Sequence, residues 1–73
     1  MTNSEFGLAA LYRVLKKSGA NRVGDEAVEE LRESIEQIAE SIAKQSVELA
    51  QHAGRKTIKI EDIKLATKMF LKN

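Results

Sequence analysis

The chain has no cysteine, no proline and one histidine, His52, in 73 residues. Without cysteine neither a disulfide framework nor a thiolate metal site can form, and one histidine excludes a multi-histidine site within a chain, so no metal is expected. No apolar run approaches the ~18 residues of a membrane span, and the opening stretch MTNSEFGLAALY lacks the basic-then-apolar layout of a signal peptide. A soluble cytoplasmic chain with no membrane partner is expected. There is no nucleophile–base pair and no glycine-rich phosphate loop of the right spacing, so no enzyme, cofactor or small-molecule substrate is expected. The carboxylates at Glu29, Glu30, Glu33, Glu36 and Glu40 are accounted for as a solvated helix face.

What remains is a small chain with no staple. Below about 80 residues a single core rarely yields more than ~3–5 kcal/mol, and oligomerisation is the available route to stability. The formal charge of +1 predicts no anionic partner by itself, but the charge is unevenly spread. Residues 1–23 carry four bases against one acid, residues 24–53 two bases against eight acids, and residues 54–73 six bases against two acids. Basic ends flank an acidic middle.

That middle, from Gly24 to Ala53, has no interior glycine or proline and consists almost wholly of helix formers. Val28, Leu31, Ile35, Ile38, Ile42, Leu49 and Ala53 fall at the three-then-four spacing of a helical stripe, and Ala27, Ala39, Ala43, Val47 and Ala50 widen it into a second face. Two faces need two sets of partners. At 1.5 Å per residue the helix is about 43 Å long, whereas a compact chain of this size has a diameter of about 30 Å. An obligate dimer is the economical solution.

Residues 1–5 are polar and expected to fray. Leu8, Leu11, Val14 and Leu15 then mark a short amphipathic helix from about Gly7 to Ser18, with Arg13, Lys16 and Lys17 on its outer side and Gly19 as a left-handed cap. The loop GANRVG displays Arg22 beside Val23. Gly24 stands at the N-cap of the long helix, and Asp25, Glu26, Glu29 and Glu30 complement its dipole. Gly54 closes that helix. In the next loop Thr57, Ile58 and Lys59 have strand character, though so short a strand must find a pairing partner to exist. A final helix, IEDIKLATKMFLK, carries Lys64, Lys68 and Lys72 at four-residue spacing.

From Leu8 to Lys72 the sequence resembles an archaeal histone, through RVLKKSGANRVGDEA at the first loop and, more specifically, SVELAQHAGRKTIKIEDIKLATKMF across the second. The resemblance implies one all-α histone-fold domain spanning residues 1–73. The resemblance further implies head-to-tail pairing with a second copy in a handshake, long helix crossing long helix, the first loop of one chain beside the second loop of the other. It also implies double-stranded DNA as partner, homodimers and higher oligomers on DNA, heterodimers with a paralogous histone, and association with the chromosome. Arg22 corresponds to a loop arginine inserted into the minor groove, where a guanidinium meets concentrated negative potential without reading bases. Lys56, Thr57 and Lys59 match second-loop contacts to DNA, Arg13 and Lys16 match first-helix positions facing the phosphate backbone, and Arg55 and Asp62 match an ion pair bracing the second loop.

Leu49, His52, Asp62 and Leu65 match the positions through which family dimers meet in a four-helix bundle, the histidine of one dimer facing the aspartate of the other. Repeated at both ends of each dimer, that contact implies chains of dimers bending DNA into a nucleosome-like superhelix. The chain departs from the pattern at Gly7 and Ala10, where prolines are common, at Gly24, where a serine is common, and at Glu33, Glu36 and Glu40, which make the long helix acidic. The competing expectation is a histone-fold interaction module within a larger complex, with weak or no DNA binding. The acidic centre favours that alternative and the intact loop residues oppose it.

Overall fold

A computed structural model describes residues 7–72; the fraying expected at residues 1–5 lies outside them. Helix α1 spans Leu8–Lys17, α2 Asp25–His52 and α3 Ile60–Lys72, in the order expected, and no strand occurs among the described residues. The β-branched pair Thr57 and Ile58 lies in irregular backbone. Packing of the described residues falls into two compact units that divide between Gln37 and Ile38, and α2 contributes to both.

Helix ends follow from glycine placement. At the end of α1 Gly19 takes φ +111°, its N–H donates to the Lys16 carbonyl at 3.0 Å, and the Ala20 N–H donates to the Leu15 carbonyl at 3.3 Å. At the end of α2 Gly54 takes φ +73°, its N–H donates to the Gln51 carbonyl and the Arg55 N–H to the Ala50 carbonyl, both at 2.9 Å. Each is the paired 6→1 and 5→2 bonding of a Schellman motif, which requires a left-handed residue just past the helix. Helix α2 opens with the Gly24 carbonyl accepting from the Ala27 and Val28 N–H groups at 3.1 and 3.3 Å, with Asp25 and Glu26 in the first turn beside the dipole's positive end.

In the first unit Leu11 and Val28 are buried. In the second, the fully enclosed residues on α2 and α3 are small: Ser46, Ala50 and Ala66, at 0%, 2% and 1% exposure. Side-chain size at a helix contact sets how closely the axes approach. Ser46 is the polar member, and its hydroxyl is satisfied by donating to the Ile42 carbonyl at 2.8 Å. Beyond these, much of the apolar stripe stays open. Ile38 and Val47 of α2 are 42% and 41% exposed, Ile60, Leu65 and Leu71 of α3 are 68%, 47% and 74% exposed, and Leu8, Tyr12 and Val14 of α1 are exposed as well.

Candidate nucleic-acid interface

The first loop joins α1 to α2 and holds Arg22 three residues before the long helix. Arg22 is exposed, next to half-buried Val23, and makes no hydrogen bond or ion pair among the described residues. Its backbone is held from both sides: the Schellman motif fixes Gly19 and Ala20, and the Gly24 carbonyl is committed to α2. Between them, Lys16 Nζ donates to the Asn21 carbonyl at 2.8 Å, and the ammonium lies 6.0 Å from the centre of the Tyr12 ring. Ser18 Oγ donates back to the Val14 carbonyl at 2.9 Å, completing the cap.

The second loop is braced more heavily. Arg55 Nη1 and Nη2 donate to the two carboxylate oxygens of Asp62 at 2.8 and 3.0 Å, a bidentate fork. Nη1 also donates to the Thr57 carbonyl at 3.0 Å, so one guanidinium ties the loop's middle to the start of α3. From the other side the Lys59 N–H donates to Asp62 Oδ2 at 2.8 Å. Lys59 is thus the N-cap of α3, and Asp62, three residues on, reaches back to it as the acidic half of a capping box. The Arg55 guanidinium first, then the Lys59 N–H, holds the Asp62 carboxyl down at about 2, outweighing the opposing effect of its burial. The same bond raises Arg55 above its ordinary value. The side chains of Lys56, Thr57 and Lys59 stay exposed on this frame, with no hydrogen-bond partner among the described residues.

On α1 a shallow groove is lined by Ala10, Arg13, Val14, Lys16 and Lys17, three cations around an apolar floor. Of the two expected phosphate contacts there, Arg13 is exposed and unpaired among the described residues, whereas Lys16 is committed to Asn21. The expected assembly residues form two i,i+3 pairs, Leu49 with His52 at the end of α2 and Asp62 with Leu65 at the start of α3. Leu49 is half-buried, His52 and Leu65 are exposed, and Asp62 is 4% exposed with both oxygens engaged by Arg55. Among the described residues no group of three or more histidines, cysteines or carboxylates could hold a metal, and no helix is long and apolar enough to cross a membrane.

The profile of the family described as histone-like transcription factor (CBF/NF-Y) and archaeal histone matches residues 4–67. The chain belongs to this family. Its three helices are those of the histone fold. It is 49% identical over 63 residues to "Probable archaeal histone 3" of Methanocaldococcus jannaschii, covering 86% of this chain and 94% of that one. It is 43% identical over 65 residues to one of the subunits of archaeal histone HAN1 from Thermococcus zilligii, covering 89% and 97%.

Two features of this histone-family chain escape the sequence reading. The capping contact from Asp62 to Lys59 leaves half a signature, an acid at the third helical position, but the N-cap is a lysine with no side-chain acceptor, so the usual Ser/Thr signal is missing. The bond from Lys16 to Asn21 leaves none, because its acceptor is a backbone carbonyl.

Proposed function

We propose that this chain packages duplex DNA as a homodimeric histone, associated with the chromosome and acting by binding rather than catalysis. The observation carrying the proposal is the display of the Arg22, Lys56, Thr57 and Lys59 side chains, unpaired among the described residues, on two loops whose backbones are fixed by glycine caps and side-chain braces. Loop cations and hydroxyls on an ordered backbone suit phosphates, which position a protein without specifying sequence. Arg22 enters the narrowed minor groove, and Arg13 contacts the backbone from α1. Bending 20–30 base pairs costs of order 1–6 kcal/mol, which repeated arginine insertion and phosphate contacts offset.

The exposed apolar residues of all three helices support dimerisation, since a chain with so few buried side chains gains most of its hydrophobic stabilisation from a second copy. In the handshake each first loop lies beside the partner's second loop, which brings Arg22 and Lys56 onto one surface. Heterodimers with a paralogous histone use the same faces. Dimers then chain through Leu49, His52, Asp62 and Leu65 into a nucleosome-like superhelix. Because Asp62 also braces the second loop, Leu49→Glu is the clean probe of this step: binding persists while extended nuclease protection disappears. An unchanged digestion ladder would remove these residues from the assembly contact.

The deciding experiment is binding to a random-sequence duplex across a salt series, wild type beside Arg22→Ala and Lys56→Ala. Binding that falls steeply with log salt, and weakens in both variants, supports packaging through counterion release. A folded dimer that binds no DNA at low salt supports instead an interaction module within a larger complex, the alternative favoured by the eight acids against two bases in residues 24–53.

A further inference from the structure

The first loop presents an isolated arginine on a short connection, and its middle is the part that neither helix end controls. Gly19 and Ala20 are held by the Schellman bonds and Gly24 by the first turn of α2, which leaves Asn21, Arg22 and Val23. Among the described residues one side-chain hydrogen bond reaches this segment, from Lys16 Nζ to the Asn21 carbonyl at 2.8 Å. The donor has a second neighbour, since Tyr12 lies one turn earlier on α1 and its ring centre is 6.0 Å from the ammonium, at the outer reach of a cation–π attraction. The peptide whose carbonyl Lys16 holds is the one that leads directly into Arg22.

We propose that Lys16 is a positioning residue for Arg22, clamping the loop so that the arginine enters the minor groove from a pre-ordered backbone. This rests on the DNA-packaging reading and deepens it: one of the two α1 cations expected to face phosphates acts through the loop, and Arg13 is left as the direct contact. Ordering the loop beforehand removes an entropy cost that binding must otherwise meet. A lysine acting only through its charge would strengthen binding independently of Arg22, whereas a clamp makes the contribution of Arg22 conditional on Lys16.

The test is a double-mutant cycle on duplex affinity with wild type, Lys16→Met, Arg22→Ala and the double variant, circular dichroism confirming that each is folded. Arg22→Ala is expected to weaken binding about tenfold in the wild-type background and less than about threefold when Lys16 is replaced by methionine. Equal factors in the two backgrounds would overturn the clamp while leaving DNA packaging standing. If the wild type binds no DNA, packaging fails, and the clamp is read on the free protein instead. There the backbone heteronuclear NOE of Asn21, Arg22 and Val23 is expected to fall in Lys16→Met, and an unchanged value would overturn it.

Discussion

The two loops begin alike and are finished differently. Both leave their helix through a Schellman motif on a left-handed glycine, Gly19 or Gly54. After that the second loop is gripped by a bidentate ion pair to a nearly buried aspartate, a third bond to the Thr57 carbonyl and a capping bond from Lys59, whereas the middle of the first is tethered by one exposed lysine. The difference matches what each displays. Lys56 and Lys59 carry compact ammonium groups on flexible stems, which in the proposed complex meet a phosphate over a range of positions. Arg22 carries a planar group that, in the proposed complex, meets a narrow groove in one orientation, and the bond from Lys16 is what pre-orders the backbone beneath it.

Breaking the heavier brace should give the largest effect. Asp62→Ala leaves the Arg55 guanidinium and the Lys59 N–H without their shared acceptor, and in thermal melts it should lower Tm more than any cap-glycine or loop-lysine substitution does. Acid does the same reversibly. A carboxyl whose folded value is depressed to about 2 contributes stability that is fully present above the ordinary carboxylate range near 4 and fades as pH falls from about 4 towards 2. Melts across that interval should therefore fall for the wild type and be flatter for Asp62→Asn, which starts lower; parallel curves would show that the brace contributes nothing.

The glycines come next. No atom beyond chain neighbours lies within 4 Å of a Cβ placed at Gly19 or Gly54, so alanine there meets only the backbone cost of a positive φ, roughly 1–2 kcal/mol each. Chemical denaturation of Gly19→Ala and Gly54→Ala tests this, and comparable losses would show that the two caps are equivalent and that the loops differ only beyond the cap. Smaller again is Lys56→Ala. It should leave Tm nearly unchanged and lower the salt exponent of DNA binding by about 1, the share of a single phosphate. A full exponent would show that Lys56 touches no phosphate.

How much of this was written in the sequence depends on the kind of interaction. The three helices were legible because apolar spacing and two glycines specify them with little help from the rest of the chain. The exposed loop cations were legible as residue types, and the resemblance gave Arg55 and Asp62 as partners before any distance was measured. The strand character of Thr57 to Lys59 depends on a pairing partner, and within the single chain these residues lie in irregular backbone with the Thr57 carbonyl accepting from Arg55. Ser46 was hidden for the opposite reason. A serine midway along a polar-looking stretch of α2 carries no apolar signal, yet it is the most enclosed residue among those described, its hydroxyl folded back on its own helix. Interactions ending on backbone carbonyls, such as that of Lys16, have no letter in the sequence.

The open apolar stripe has a last consequence, for supply rather than for structure. In the proposed dimer, folding and pairing draw on the same hydrophobic surface, so the folded fraction depends on how much of the chain is made. Dilution then acts as a denaturant, and Tm should climb with the logarithm of protein concentration. A cell that produces too little of the chain holds it as unfolded substrate for proteases, and one that produces enough protects it by numbers alone. While most chains are unfolded, the amount of folded dimer in that scheme rises as the square of the chain concentration, more steeply than synthesis itself.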